Sequence, residues 1–76
     1  DFEFIEELDG LLQLLIEQKA LLACNTRYLS ESIYSSLMYD YMLFVFNKTN
    51  TKEDYLQKVK EKTEFLLAPY CINEHK

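Results

Sequence analysis

The sequence predicts an all-α fold, a three-helix bundle in which the chain runs up, down and up. Three segments carry apolar side chains at helical spacing. The 76 residues include a single Gly and a single Pro, too few for the many tight turns of a β fold. A chain of this length corresponds to one domain, which we expect to span residues 1–76.

The first helix is expected over about residues 2–24, because its apolar residues recur on one face and acidic residues fill the other. The expected core positions are Phe4, Leu8, Leu11, Leu15 and Leu22. Leu14 and Leu21 fall outside this face, so we expect both side chains to be exposed.

The second helix is expected over about residues 30–46, with Asn25, Thr26 or Ser30 as its N-cap. Its apolar residues cover most of the circumference. One sector is expected to form core: Ile33, Tyr34, Leu37, Met38, Tyr41, Phe44 and Val45. A second apolar sector lies about 100° or more away and holds Tyr28, Tyr39, Met42 and Phe46. Ser32, Ser36 and Asp40 form a narrow polar strip.

The third helix is expected over about residues 52–67. Thr51 and Asp54 have the spacing of a capping box, and Pro69 ends the helix. Phe65 points away from the core face of this helix. The remaining residues, 68–76, are expected to form a tail.

The two cysteines, Cys24 and Cys71, would follow helices that end at the same pole of an up-down-up bundle. A disulfide between them would close a loop of about 47 residues and contribute about 4 kcal/mol in the chain-entropy model. The alternative is a pair of reduced thiols. The compartment depends on this choice, because small secreted domains favour disulfides and cytoplasmic proteins do not.

Asn47-Lys48-Thr49 has the form of an N-glycosylation acceptor and falls in an expected loop. The competing interpretation is that Asn47 simply ends the second helix. A glycan would agree with a secreted, disulfide-bonded chain.

Composition and motifs argue against several function classes. The net charge of −5 offers no basic patch for nucleic acid, and no apolar run approaches the ~20 residues of a membrane span. Cys71 and His75, with Cys24, would give at most three zinc ligands, so we expect no metal and no cofactor. One histidine near the terminus and no phosphate-binding loop or glycine-flanked serine predict a protein that is not an enzyme.

The sequence therefore predicts a non-catalytic module that binds protein, either a second copy or another chain, through the aromatic and Met surface of the second helix. The expected interface residues are Tyr28, Tyr39, Met42, Phe46 and Phe65. One alternative is a secreted helical ligand or effector held by Cys24–Cys71. Another is a carrier whose second helix lines a site for an apolar small molecule.

Overall fold

The computed structural model describes residues 2–47 and 50–72 of the chain. Helix α1 spans Phe2–Glu17, α2 spans Thr26–Phe46 and α3 spans Lys52–Leu67, and a 3-10 helix at Ala68–Tyr70 follows directly. No strand occurs among these residues, although one isolated antiparallel bridge does. The predicted all-α, up-down-up three-helix fold is confirmed. The first residues of the predicted tail, Ala68–Tyr70, form the 3-10 helix, and residues 73–76 of that tail lie outside the described part of the chain.

Helix α1 ends seven residues before the predicted position because Lys19 adopts the left-handed conformation, with φ of 63°. The Lys19 N–H donates to the Ile16 carbonyl at 3.0 Å, and the Ala20 N–H donates to the Leu15 carbonyl at 2.9 Å. This pair of bonds is a Schellman motif, which satisfies the last carbonyls of the helix. Glycine is the usual residue at this position, so the apolar spacing beyond it wrongly predicted a continuing helix.

The other two helices begin with side-chain caps. Asn25 accepts a hydrogen bond from the Tyr28 N–H at 2.9 Å, which selects it among the three predicted N-caps of α2. Helix α2 therefore starts about four residues earlier than predicted. Thr51 accepts from the Asp54 N–H at 3.0 Å and Asp54 accepts from the Thr51 N–H at 3.4 Å, so the predicted capping box is confirmed.

The helices form a flat, two-layer arrangement in which α1 and α3 both pack on α2. The Cα atoms extend over 40 × 34 × 14 Å, a thickness that accommodates two layers of helices about 8–10 Å apart. The buried core is small and consists of Leu12, Leu21, Leu29 and Ile33. One face of α2 therefore contributes to the core, and the opposite face has no helix of the described chain over it.

The ends of α1 and α3 meet at one pole, as up-down-up connectivity requires. The Leu22 N–H donates to the Tyr70 carbonyl at 2.7 Å, and the Ile72 N–H donates to the Ala20 carbonyl at 3.3 Å. These bonds flank an antiparallel bridge between Leu21 and Cys71. Leu21, predicted to be exposed, is buried instead, because the chain has left the helix and turned this side chain inward.

Of the two possibilities for the cysteines, the Cys24–Cys71 disulfide does not form, and the alternative of two free thiols is the one observed. The antiparallel bridge explains why the two cysteines do not pair. The residue opposite Cys71 is Leu21, and Cys24 lies three residues further along the chain. Cys24 packs half-buried against the core, whereas Cys71 is exposed. The alternative of a disulfide-bonded secreted ligand thereby loses the covalent link on which it depended.

Much of the predicted core surface of α1 and α2 is exposed. Met38, Tyr41 and Val45 of α2 are open to solvent, and so are Leu11 and Leu22. The physical reason is that two 16-residue helices cover only part of the wide apolar sector of a 21-residue helix. The surplus apolar surface therefore exceeds the prediction.

Candidate functional site

The five predicted interface residues are all strongly exposed. The exposed fractions are 69% for Tyr28, 58% for Tyr39, 53% for Met42, 76% for Phe46 and 77% for Phe65. Exposed aromatic and Met side chains in such number are typical of a binding surface. Their exposure agrees with the sequence analysis, and their role as an interface stays a prediction.

Four of these residues lie on one line along α2 together with Ser32, which the sequence analysis placed in the polar strip, and Ser35, which it did not assign. We call this line the α2 stripe, and its members are Tyr28, Ser32, Ser35, Tyr39, Met42 and Phe46. Successive members are four or three residues apart in strict alternation, which is the a/d spacing of a coiled-coil seam. All six are exposed. The heptad spacing from Tyr28 to Phe46 was the signal that could have identified Ser32 and Ser35.

The α2 stripe lies opposite the buried face of the same helix. Ile33 and Ser30 are buried on the core side, and Asp40 is buried under α3. The predicted polar strip of Ser32, Ser36 and Asp40 is therefore not a common solvent-facing strip. Its three members differ in solvent exposure because α3 covers only the side of α2 that carries Asp40.

A partly buried ion pair links α3 to α2 beside the stripe. The Lys62 Nζ lies 2.8 Å from the Asp40 Oδ1 and 4.9 Å from the centre of the Tyr39 ring. Lys62 thus neutralises a buried carboxylate and makes a cation–π contact with a member of the stripe at the same time. The second carboxylate oxygen of Asp40 has no hydrogen-bond partner in the described part of the chain. This arrangement fixes one face of the Tyr39 ring and leaves its remaining surface to solvent.

A groove of about 410 Å³ adjoins the Tyr28 end of the stripe. Tyr28 and Ser32 form its α2 wall, and Phe65, Pro69 and Tyr70 form the wall contributed by α3 and the 3-10 helix. The groove brings Phe65 next to the stripe, which joins the predicted interface residue of α3 to those of α2. Phe46, at the other end of the stripe, does not line it.

A second groove, of about 300 Å³, opens on another side of α2 between the first residues of α1 and of α3. It is lined by Phe4, Tyr34, Leu37, Met38, Tyr41 and Tyr55. Two ring contacts occur among the residues that line it, with Phe4 and Tyr34 centroids 5.6 Å apart and Tyr41 and Tyr55 centroids 6.3 Å apart. Its volume is at the lower limit for a ligand pocket, and its Phe4, Met38 and Tyr41 side chains are exposed. A small molecule here would stay largely in contact with water.

Asn47 is the C-cap of α2, and its N–H donates to the Leu43 carbonyl at 2.7 Å. This agrees with the interpretation that the asparagine ends the helix. Its side chain is exposed. Lys48 and Thr49, the other residues of the glycosylation triplet, lie outside the described residues, so glycosylation stays a prediction.

Within residues 2–47 and 50–72, no three His, Cys, Asp or Glu side chains converge as metal ligands would. In the same ranges, no helix has the length and hydropathy needed to cross a bilayer. His75, the remaining zinc-ligand candidate, falls outside the described residues.

No protein-family model matches the chain, and comparisons with curated proteins and with solved structures gave no match either.

Proposed function

We propose that this chain is a non-catalytic protein-interaction module whose binding surface is the α2 stripe together with Phe65. The observation that carries the proposal is the coiled-coil spacing of six exposed, uncharged residues along a helix whose other face supplies the core. A helix that presents anchors at positions i, i+3 and i+7, as Tyr39, Met42 and Phe46 do, is suited to lie against a partner helix or in a groove.

The energetics of the fold support the same function. A chain of 76 residues buries only about 60% of its unfolded surface, so the large aromatic side chains left in water contribute no burial energy to a fold with a small core. Burying Phe46 or Tyr39 against a partner would recover about 1.5–3 kcal/mol for each side chain at full burial. Association therefore stabilises the module as well as defining its role.

The carrier function has weaker support. The groove beside Phe4 and Tyr55 is apolar, but its walls are exposed and three helices enclose little volume. We therefore favour protein binding over small-molecule transport.

Site-specific photocrosslinking in cells that produce the protein tests this function. A benzophenone amino acid replaces Met42 in one variant and Gln57, an exposed residue of α3, in the control. We expect a crosslinked protein product of discrete mass from position 42 and none from position 57. Adding Phe46→Glu to the position-42 variant should abolish the product, because a charge would then be buried at the interface.

Equal products at both positions, no product at position 42, or a product that survives Phe46→Glu would overturn the proposed function. The mass of the product also carries information about the partner: it equals twice the chain mass only if the partner is a second copy.

A further inference from the structure

We infer that the partner of the α2 stripe is a second copy of this chain, with the two α2 helices antiparallel and centred on Leu37. The inference rests on the proposed function and supplies the partner and register that the function leaves open. The two-fold axis would pass beside Leu37, on the outer side of α2. Each copy would then present the same surface to the other, as a closed dimer requires.

The order of large and small residues along the stripe carries the inference. Tyr28 and Phe46 lie nine residues on either side of Leu37, Ser32 and Met42 lie five, and Ser35 and Tyr39 lie two. In the antiparallel dimer each member of such a pair faces the other member in the second copy. Both serines are thus opposed by a large side chain, Ser32 by Met42 and Ser35 by Tyr39. Large residues opposite small ones fill the layers of a helix pair without gaps.

A parallel pair of the same helices would pack poorly. Each residue would then face its own counterpart, so Ser32 would meet Ser32 and Ser35 would meet Ser35. These two layers of small side chains would lie between layers of paired tyrosines at positions 28 and 39, which would hold the helices apart. The resulting voids lack dispersion contacts on one side. The sequence of the stripe therefore selects the antiparallel orientation.

The groove beside Tyr28 fits the same arrangement. In the antiparallel register, Phe46 of the second copy faces Tyr28, which is at the mouth of the 410 Å³ groove. The exposed ring of Phe65 and the side chain of Ser32 line that groove, so they would contact the incoming Phe46. The two-fold axis repeats this contact at the other end of the dimer. Phe46 and Phe65, the two most exposed residues of the predicted set, would both become buried.

The available area and charge are compatible with a dimer. The exposed parts of Tyr28, Tyr39, Phe46 and Phe65 amount to roughly 400–700 Å², and Met42 and the two serines add to it. The total approaches the roughly 800 Å² per partner of a stable interface. No stripe residue is charged, and the charged residues Glu31 and Lys62, which border the stripe, are each paired with an opposite charge within their own copy, Arg27 and Asp40.

Disulfide trapping between two singly substituted proteins tests the register. Both carry Cys24→Ala and Cys71→Ala; one adds Ser32→Cys and the other, of different mass through a tag, adds Met42→Cys. The inference predicts that a mixture oxidises mainly to the mixed 32–42 disulfide. Neither protein should dimerise readily alone, because like positions would be about 15 Å apart along the axis, whereas a disulfide needs Cα atoms within about 7 Å.

Ready 32–32 and 42–42 disulfides would overturn the antiparallel register, and the absence of any trapped dimer would overturn the second copy as partner. Neither result contradicts protein binding by the stripe, which the crosslink at position 42 tests separately.

A size exchange gives a second readout that does not depend on cysteine chemistry. Ser35→Tyr should weaken self-association at least tenfold, because the introduced ring would collide with Tyr39 of the second copy. The double variant Ser35→Tyr with Tyr39→Ser restores the large–small pairing and should regain most of the affinity. If the double variant associates no better than the single one, the register is wrong. Both positions are exposed, so circular dichroism should show unchanged helicity for all variants.

Discussion

Replacing Leu12 with Ala should lower the free energy of unfolding by about 3–4 kcal/mol, which is the largest effect we expect from a single truncation. Leu12 is only 2% exposed and lies in a core of four buried apolar residues. A domain of this size has a total stability of about 4–11 kcal/mol, so the variant would lose a large share of it. Urea denaturation followed by circular dichroism measures the change.

The neighbouring leucine provides the control for this prediction. Leu11 is 51% exposed, and Leu11→Ala should change stability by less than about 1 kcal/mol. Equal losses for the two variants would contradict the orientation of α1 described above.

Replacing Lys62 with Met should destabilise the fold by about 2–3 kcal/mol. The change leaves the Asp40 carboxylate, which is 4% exposed, without its cation, and an uncompensated buried charge is strongly unfavourable. The loss is at the lower end for buried pairs because the Lys62 side chain is itself 37% exposed. The cation–π contact with Tyr39 disappears as well.

Two comparison variants separate the loss of the Lys62–Asp40 ion pair from other effects of replacing Lys62. Lys60 and Glu64 form an exposed pair on the same helix, so Lys60→Met should cost no more than about 0.5 kcal/mol. The double variant Asp40→Leu with Lys62→Met removes both charges and should lie within about 1 kcal/mol of the parent. A double variant as unstable as Lys62→Met alone would show that the buried charge is not the cause.

Helix type and helix order were predictable because the relevant signals are local. The spacing of apolar residues identified three helices, and Thr51 with Asp54 identified the start of α3 from side-chain chemistry alone. The end of α1 was not predictable in this way. Lys19 occupies a left-handed position where glycine is usual, so nothing in the residue type indicated the Schellman motif.

The extent of the core depended on tertiary packing, which periodicity does not determine. The wide apolar sector of α2 indicated two neighbours but not how much of it they cover, and Met38 and Tyr41 are left exposed. Asp40 was assigned to a narrow polar strip, and periodicity did not indicate that α3 covers it and supplies Lys62 as its partner. The exposure of the stripe was predicted more reliably, because a residue such as Phe46 lies about 140° around the helix from the buried Ile33, beyond the neighbouring helices.

The central claim is that the α2 stripe mediates self-association, and sedimentation equilibrium of the parent and of Phe46→Glu tests it most directly. The parent should approach twice the 9.1 kDa chain mass as its concentration rises, while Phe46→Glu should stay at the mass of one chain with its helicity unchanged. A parent that remains at 9.1 kDa at every concentration, or a variant that associates as strongly as the parent, would contradict self-association through the stripe.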